Sequence, residues 1–251
     1  MHQDKRNIKE NMFQSLLLLF AVSVNDEFRK IIRVFPYNGE KSMLSYHKKA
    51  ADSNVFFVVA ESVYSFHGKI KNSSFKGDAN NANFTDYLYE NVTQNLYQKQ
   101  DKWAQEVGMR NLLGQHALKM YNDLIIKDDD VFVLTDADEV INSKSLQWLR
   151  KNAKNGVVYQ AKLKWHLYSP CFIHRRPWTA NVAVTIYTLR TQFQWRANLV
   201  RSSNSNIVVI PDKAGIHCSW CFFTPSQFRK KMRDSHDGEN VGLYKTDAQK
   251  W

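Results

Sequence analysis

Val131-Phe132-Val133-Leu134-Thr135-Asp136-Ala137-Asp138-Glu139 is the stretch on which the fold of this chain turns. Four consecutive apolar residues bounded by polar ones describe a short strand buried on both faces, the mark of a parallel sheet's centre. Three carboxylates stand directly past its carboxyl end, and in open α/β sheets the crevice beyond the strand ends is where ligands bind. Like charges this close repel, so the cluster needs a compensating cation; oxygen donors suit Mg²⁺ or Mn²⁺ better than Zn²⁺. In an extended segment Asp136 and Asp138 would point the same way and reach one site, with Ala137 small enough to admit a nucleotide. The competing reading is an acidic turn ahead of a helix starting near Ser143, where carboxylates favour the helix dipole. Asp128-Asp129-Asp130 precedes the strand, belongs at the opposite edge of the sheet and reads as a solvated turn.

Working outward, the pattern alternates between strand and helix. Ile31 to Phe35 reads as a strand closed by Pro36, Glu40 to Ala50 as a helix, and Val55 to Ala60 as a second buried strand. Lys71 to Asn95 is rich in Asn, Ser and Lys and reads as an irregular excursion with a short helix near its end. Asp101 caps a predicted helix to about Ile126, on which Trp103, Met109, Leu112, Leu113, Ala117, Met120 and Leu124 make one stripe, with Arg110 and Asn111 beside it. Val157 to Leu167 and Asn181 to Leu189 alternate like half-buried strands. Gly215-Ile216-His217-Cys218-Ser219-Trp220-Cys221-Phe222-Phe223 carries one C-x-x-C without a second, so a structural zinc site is disfavoured and a local disulfide or two buried thiols is favoured. His217 is either a hydrogen-bonded core histidine or a ligand for the acidic site.

With 251 residues, 43% of them hydrophobic, the chain can bury a real core. Its longest apolar run, Leu16 to Val22, is far short of the roughly 20 residues that span a bilayer as a helix. Between Val140 and Pro211 there is no Asp or Glu, and the 11 Lys and Arg there equal the whole net charge of +11. Such a surface receives an anion: a nucleotide diphosphate, a nucleic acid or an anionic membrane. Lys5, Arg6 and Lys9 precede Met12 to Val24, and Ala21-Val22-Ser23 resembles a cleavage site, so residues 1–28 read as a signal or targeting segment that would also supply any membrane association. Residues 29–251 form the remaining domain. The sequons at Asn72, Asn83 and Asn91 suit a secretory route but are nearly what chance supplies.

Several of these segments, in this order, resemble glycosyltransferase family 17. Phe35-Pro36-Tyr37-Asn38-Gly39-Glu40 with Leu44 is similar to its F-P-x-N-x-E opening, and Phe57-Val58-Val59-Ala60-Glu61-Ser62, then Phe66 and Gly68, to its V-x-E-S segment. Arg110-Asn111 stands in the place of its Q-R-N, and Leu134 to Val140 resembles its S-D-x-D-E-I element. His217-Cys218-Ser219-Trp220-Cys221-Phe222 with Thr224-Pro225 matches its H-C-S-W-C-F-x-P signature. The resemblance implies a GT-A type α/β fold, a Rossmann-like mixed sheet flanked by helices. It also implies a UDP-sugar donor, N-acetylglucosamine above all, a glycan or glycoprotein acceptor such as an N-glycan, Mn²⁺ or Mg²⁺, inversion at the anomeric carbon, and a lumenal place in the ER or Golgi.

On that resemblance Asp138 contacts the metal, Asp136 reaches ribose or metal, and His217 is a late third ligand. Glu61 and Arg110 hold the nucleotide, Arg110 by charge-assisted bonds to phosphate. The general base comes from Glu139, Asp234, Asp237 or Glu239, with Glu239 first because Asp237-Gly238-Glu239 resembles the family's N-G-D stretch. Two other classes compete. One is a non-catalytic relative that only binds glycans. The other is a nucleic-acid binder stacking bases on Tyr159, Trp165, Tyr168, Phe172, Trp178, Phe193 and Trp195. The strand alternation instead assigns most of those rings to the core or to a sugar platform, and no nucleic acid is expected.

Overall fold

Consecutive apolar residues in β1 (Ile31–Pro36), β2 (Val55–Ser62) and β4 (Val131–Leu134) can be buried only with a layer on each side, and the chain supplies both layers. The computed structural model describes residues 29–64, 70, 72–75, 86–90, 104–167, 169–211, 213–219, 221 and 224–226. One face of the sheet packs on α2 (Ala104–Asn122), α4 (Ile186–Thr191) and α5 (Asn198–Ser202), through Leu113, Ala117, Met120, Leu189 and Val200. The other packs on α1 (Lys41–Lys49) and α3 (Ser143–Asn152), through Leu44, Leu146 and Leu149.

Among the described residues the strands form one sheet in the order β3 (Asp86–Glu90), β2, β1, β4, β7 (Trp178–Thr185), β6 (Val158–Leu167), β9 (Gly215–Ser219), β5 (Glu139–Ile141), with β8 (Ile207–Val209) on β6. The β3-β2-β1-β4 half is parallel and Rossmann-like, and β7 (Trp178–Thr185) then joins antiparallel. β6 (Val158–Leu167) pairs antiparallel with β7 but parallel with β9 (Gly215–Ser219), which pairs antiparallel with the short β5 (Glu139–Ile141). This is the mixed, helix-flanked α/β sheet expected.

Several boundaries differ from the sequence reading. β3 (Asp86–Glu90) is a parallel edge strand where an irregular excursion was expected. α2 ends at Asn122, and Leu124 lies beyond it in the left-handed region with φ of 58° and is 88% exposed, so it leaves the apolar stripe. β7 stops at Thr185, whose hydroxyl accepts from Thr188 N and caps α4, so Asn181 to Leu189 is half strand and half helix. Asp130 is fully buried and accepts from the backbone of Lys30 and Lys127, so only its neighbours form a solvated turn. Asp101, Trp103 and the N-terminal segment lie outside the described residues.

Candidate active site

The site grows from the end of β4. Glu139 N donates to Asp136 O at 3.0 Å, which closes a turn over Asp136-Ala137-Asp138-Glu139. The segment is therefore not extended, and Asp136 and Asp138 do not alternate as an extended reading would have them. Asp136 accepts from Arg110 Nη2 at 2.8 and 3.1 Å and from Arg201 Nη2 at 3.2 Å. Burial alone would raise its carboxyl, but Arg110 and then Arg201 more than offset that and hold it down at about 2.

Glu139 has no exposed surface. Arg201 grips it from both Nη atoms, at 2.8 and 2.9 Å, and Trp178 Nε1 donates to it at 2.6 Å. Its Oε2 also accepts from Asp136 N at 3.1 Å. Burial alone would lower the Arg201 guanidinium; the Glu139 and Asp136 carboxylates override it and raise it above its ordinary range. Both oxygens of this carboxylate are thus bonded within the chain.

The pairing of β5 with β9 brings the late motif home. Glu139 lies opposite His217, and Cys218 N donates to Asp138 O at 2.9 Å. His217 Nε2 consequently stands 3.6 Å from Asp138 Oδ2, and Nδ1 3.9 Å from Glu139 Oε1. Trp165 Nε1 donates to Ser219 Oγ at 3.0 Å, and the same hydroxyl pairs with His217 Nε2 at 2.6 Å. Cys218 and Cys221 form a disulfide behind this strand.

A second set of side chains supports the turn from beneath. His47, fully buried on α1 and stacked on Phe35 at 4.3 Å, donates from Nε2 to the Ala137 carbonyl at 2.9 Å. Fully buried Arg33 donates weakly to the Ile141 carbonyl at 3.4 Å, and burial pushes its guanidinium down to about 9. The acidic segment is thus held at Ala137, and the strand that follows it at Ile141, by carbonyl bonds from the core. On the opposite side α2 brings Arg110, bonded also to Glu106, and Asn111, which accepts from Asn198 N at 3.1 Å and ties α2 to the helix bearing Arg201.

Comparison with known proteins then fixes the lineage. Residues 4–246 match the family model for glycosyltransferase family 17. The chain belongs to glycosyltransferase family 17. This family 17 chain is 24% identical over 241 residues to the human β-1,4-mannosyl-glycoprotein 4-β-N-acetylglucosaminyltransferase, and equally so to the rat protein of that name. Each alignment covers 84% of this chain and 44% of the relative, so the chain spans less than half the length of the curated relatives it matches. Among solved structures it is similar to a 4-diphosphocytidyl-2C-methyl-D-erythritol synthase, with 12% identity, 80% of this chain and 97% of the other covered, and a TM-score of 0.45. It is also similar to a glycosyltransferase of Streptococcus pneumoniae, with 11% identity, 72% and 40% covered, and a TM-score of 0.31.

In this family 17 site, Asp136, Asp138, Glu139, Arg110 and His217 meet around the β4 turn, whereas Glu61 stands apart from these bonds. Glu61 is fully buried and accepts from Ser74 N at 2.9 Å, Ser74 Oγ at 2.8 Å and Phe75 N at 3.1 Å, so it shapes a loop past β2. Asp234, Asp237 and Glu239 lie outside the described residues. Sequence reasoning missed Arg201 as the central cation and Trp178 and His47 as its company. The one signal for Arg201 was its place in the acid-free stretch, which forces any cation there to find its carboxylate elsewhere.

Proposed function

We propose that this chain carries the donor-binding and catalytic site of a metal-dependent, inverting glycosyltransferase, moving N-acetylglucosamine from a UDP donor to a mannose-containing glycan. The observation that carries the reading is the approach of His217 Nε2 to Asp138 Oδ2 at 3.6 Å, beside a turn at the carboxyl end of a central parallel strand. The donor and acceptor follow the named chemistry of the human and rat relatives.

A divalent cation fits this pair. Among the described residues no three His, Cys, Asp or Glu side chains enclose an ion. One or two carboxylates, with the shell completed by phosphate oxygens and water, is how Mg²⁺-like ions are commonly held beside phosphates, and Asp138 supplies such a carboxylate with His217 next to it. When bound, such an ion neutralises the departing diphosphate as a Lewis acid.

The remaining work belongs to the chain. Asp136 serves as the clamp that orients Arg110 and Arg201 rather than as a metal ligand, because both its oxygens are taken by guanidinium groups. Arg110 keeps a buried Nε without a hydrogen-bond partner. Glu139 acts as a positioning residue for Arg201 and Trp178. The proton of the attacking hydroxyl then goes to Glu239 or Asp237, with Glu239 first. A lumenal, secretory setting agrees with the Cys218–Cys221 disulfide, which persists in oxidising compartments. Among the described residues no helix is long and apolar enough to cross a membrane.

Donor hydrolysis across a panel of nucleotide sugars with Mn²⁺ tests this. One uridine donor should turn over, and Asp138→Ala should lower that rate roughly 100-fold or more while the circular dichroism stays unchanged. An unaltered rate would remove Asp138 from the mechanism.

A further inference from the structure

Beside the acidic turn, and separated from it by two side chains, lies an open groove of about 280 Å³ between β7, the end of α5 and β8. Its lining includes Gln160, Trp178, Thr179, Asn181, Arg201 and Asn204. That size falls just below the range of small-ligand pockets, roughly 300–1,000 Å³, and suits a single sugar ring with its neighbours trailing into solvent.

The chemistry of the lining is specific in what it omits. It holds no carboxylate and no imidazole, and its one cation, Arg201, is already neutralised by Asp136 and Glu139. An anionic ligand finds no free charge there. The groove offers amides and hydroxyls, which both donate and accept, as sugar hydroxyls do. Gln160 Nε2 donates to Asn181 Oδ1 at 3.0 Å, and Asn181 Nδ2 donates to Ser203 O at 2.7 Å, which locks the inner wall. The outer groups, the carboxamide oxygen of Gln160, the exposed Thr179 hydroxyl and the exposed Asn204 amide, keep their hydrogen-bonding capacity for a ligand.

The wall shared with the acidic turn ties the groove to the reaction. Trp178 and Arg201 both line it and both bond to Glu139, at 2.6 Å and at 2.8 and 2.9 Å, and Glu139 adjoins Asp138 in the chain. Half-buried Trp178 has His217 against its ring at 4.4 Å, on the side of the acidic turn. We propose that this groove is the subsite for a neutral, hydroxyl-rich acceptor saccharide, held by Gln160, Thr179 and Asn204 and bounded by Trp178. This rests on the glycosyltransferase reading, since only that reading places a donor next to it.

Saturation-transfer NMR on the full chain with Mg²⁺, using mannotriose and UDP as separate probes, tests the proposal. The wild type should transfer saturation to both. Thr179→Arg, which fills the groove from an exposed position, should cut the mannotriose signal at least fivefold and keep the UDP signal. Asn204→Ala, on an exposed loop, should lower the mannotriose signal about twofold. A mannotriose signal that is absent in the wild type, or equal in all three proteins, overturns the groove. Loss of the UDP signal from the wild type instead overturns the donor reading, and the groove with it.

Discussion

At the scale of single residues, the site is organised by one cation. Arg201 reaches Glu139 with both Nη atoms and Asp136 with Nη2, so a planar, forked guanidinium is required and an ammonium cannot replace it. Removing it leaves Glu139, which has no exposed surface, as an uncompensated buried charge. Arg201→Met is therefore expected to destabilise the fold by about 3–5 kcal/mol in urea unfolding, with Arg201→Lys recovering only a minor part. Asp136→Asn should cost less, because that side chain keeps some contact with water and Glu139 retains its partner. Which of three neighbouring carboxylates meets the arginines was not legible in the sequence, since the answer depends on an i to i+3 turn and on a cation 62 to 65 residues away.

At the scale of elements, the pairing of β5 with β9 decides whether Asp138 and His217 meet at all. Gly215 stands opposite Ile141, and a Cβ there would fall onto the Val140 carbonyl. Gly215→Ala should thus push the two strands apart and abolish donor hydrolysis. The aromatic signal of Trp165 and Trp178 should change as well, which near-ultraviolet dichroism reads. The buried strands were legible because β1, β2 and β4 are apolar runs with turn residues at their ends. β3 was not, because Asp86-Tyr87-Leu88-Tyr89-Glu90 sits inside a polar stretch and its pairing with β2 is a tertiary fact. The C-x-x-C was read as a disulfide or two thiols, and the geometry gives the disulfide.

At the scale of the whole molecule, buried polar groups set how the fold responds to pH. His47 is held neutral well below its ordinary 6.5, first by burial and then by the Arg33 cation. The unfolded chain binds a proton that the folded chain refuses, so stability present above about pH 6.5 is lost as pH falls below it. His47→Gln, which keeps an N–H for the Ala137 carbonyl but cannot take up a proton, should flatten that limb of the stability curve between pH 6.5 and 5. The α/β class and the family were legible from patterned segments spread along the chain. The supporting roles of His47 and Arg33 were not, because nothing in a lone histidine or arginine announces burial.

The account stands on a divalent ion held by Asp138 and His217. The most direct measurement is the affinity for Mn²⁺ in the presence of UDP, followed by electron paramagnetic resonance, in wild type and Asp138→Asn. Micromolar binding that weakens at least 100-fold in the variant is the predicted result; equal affinity in both proteins would contradict it.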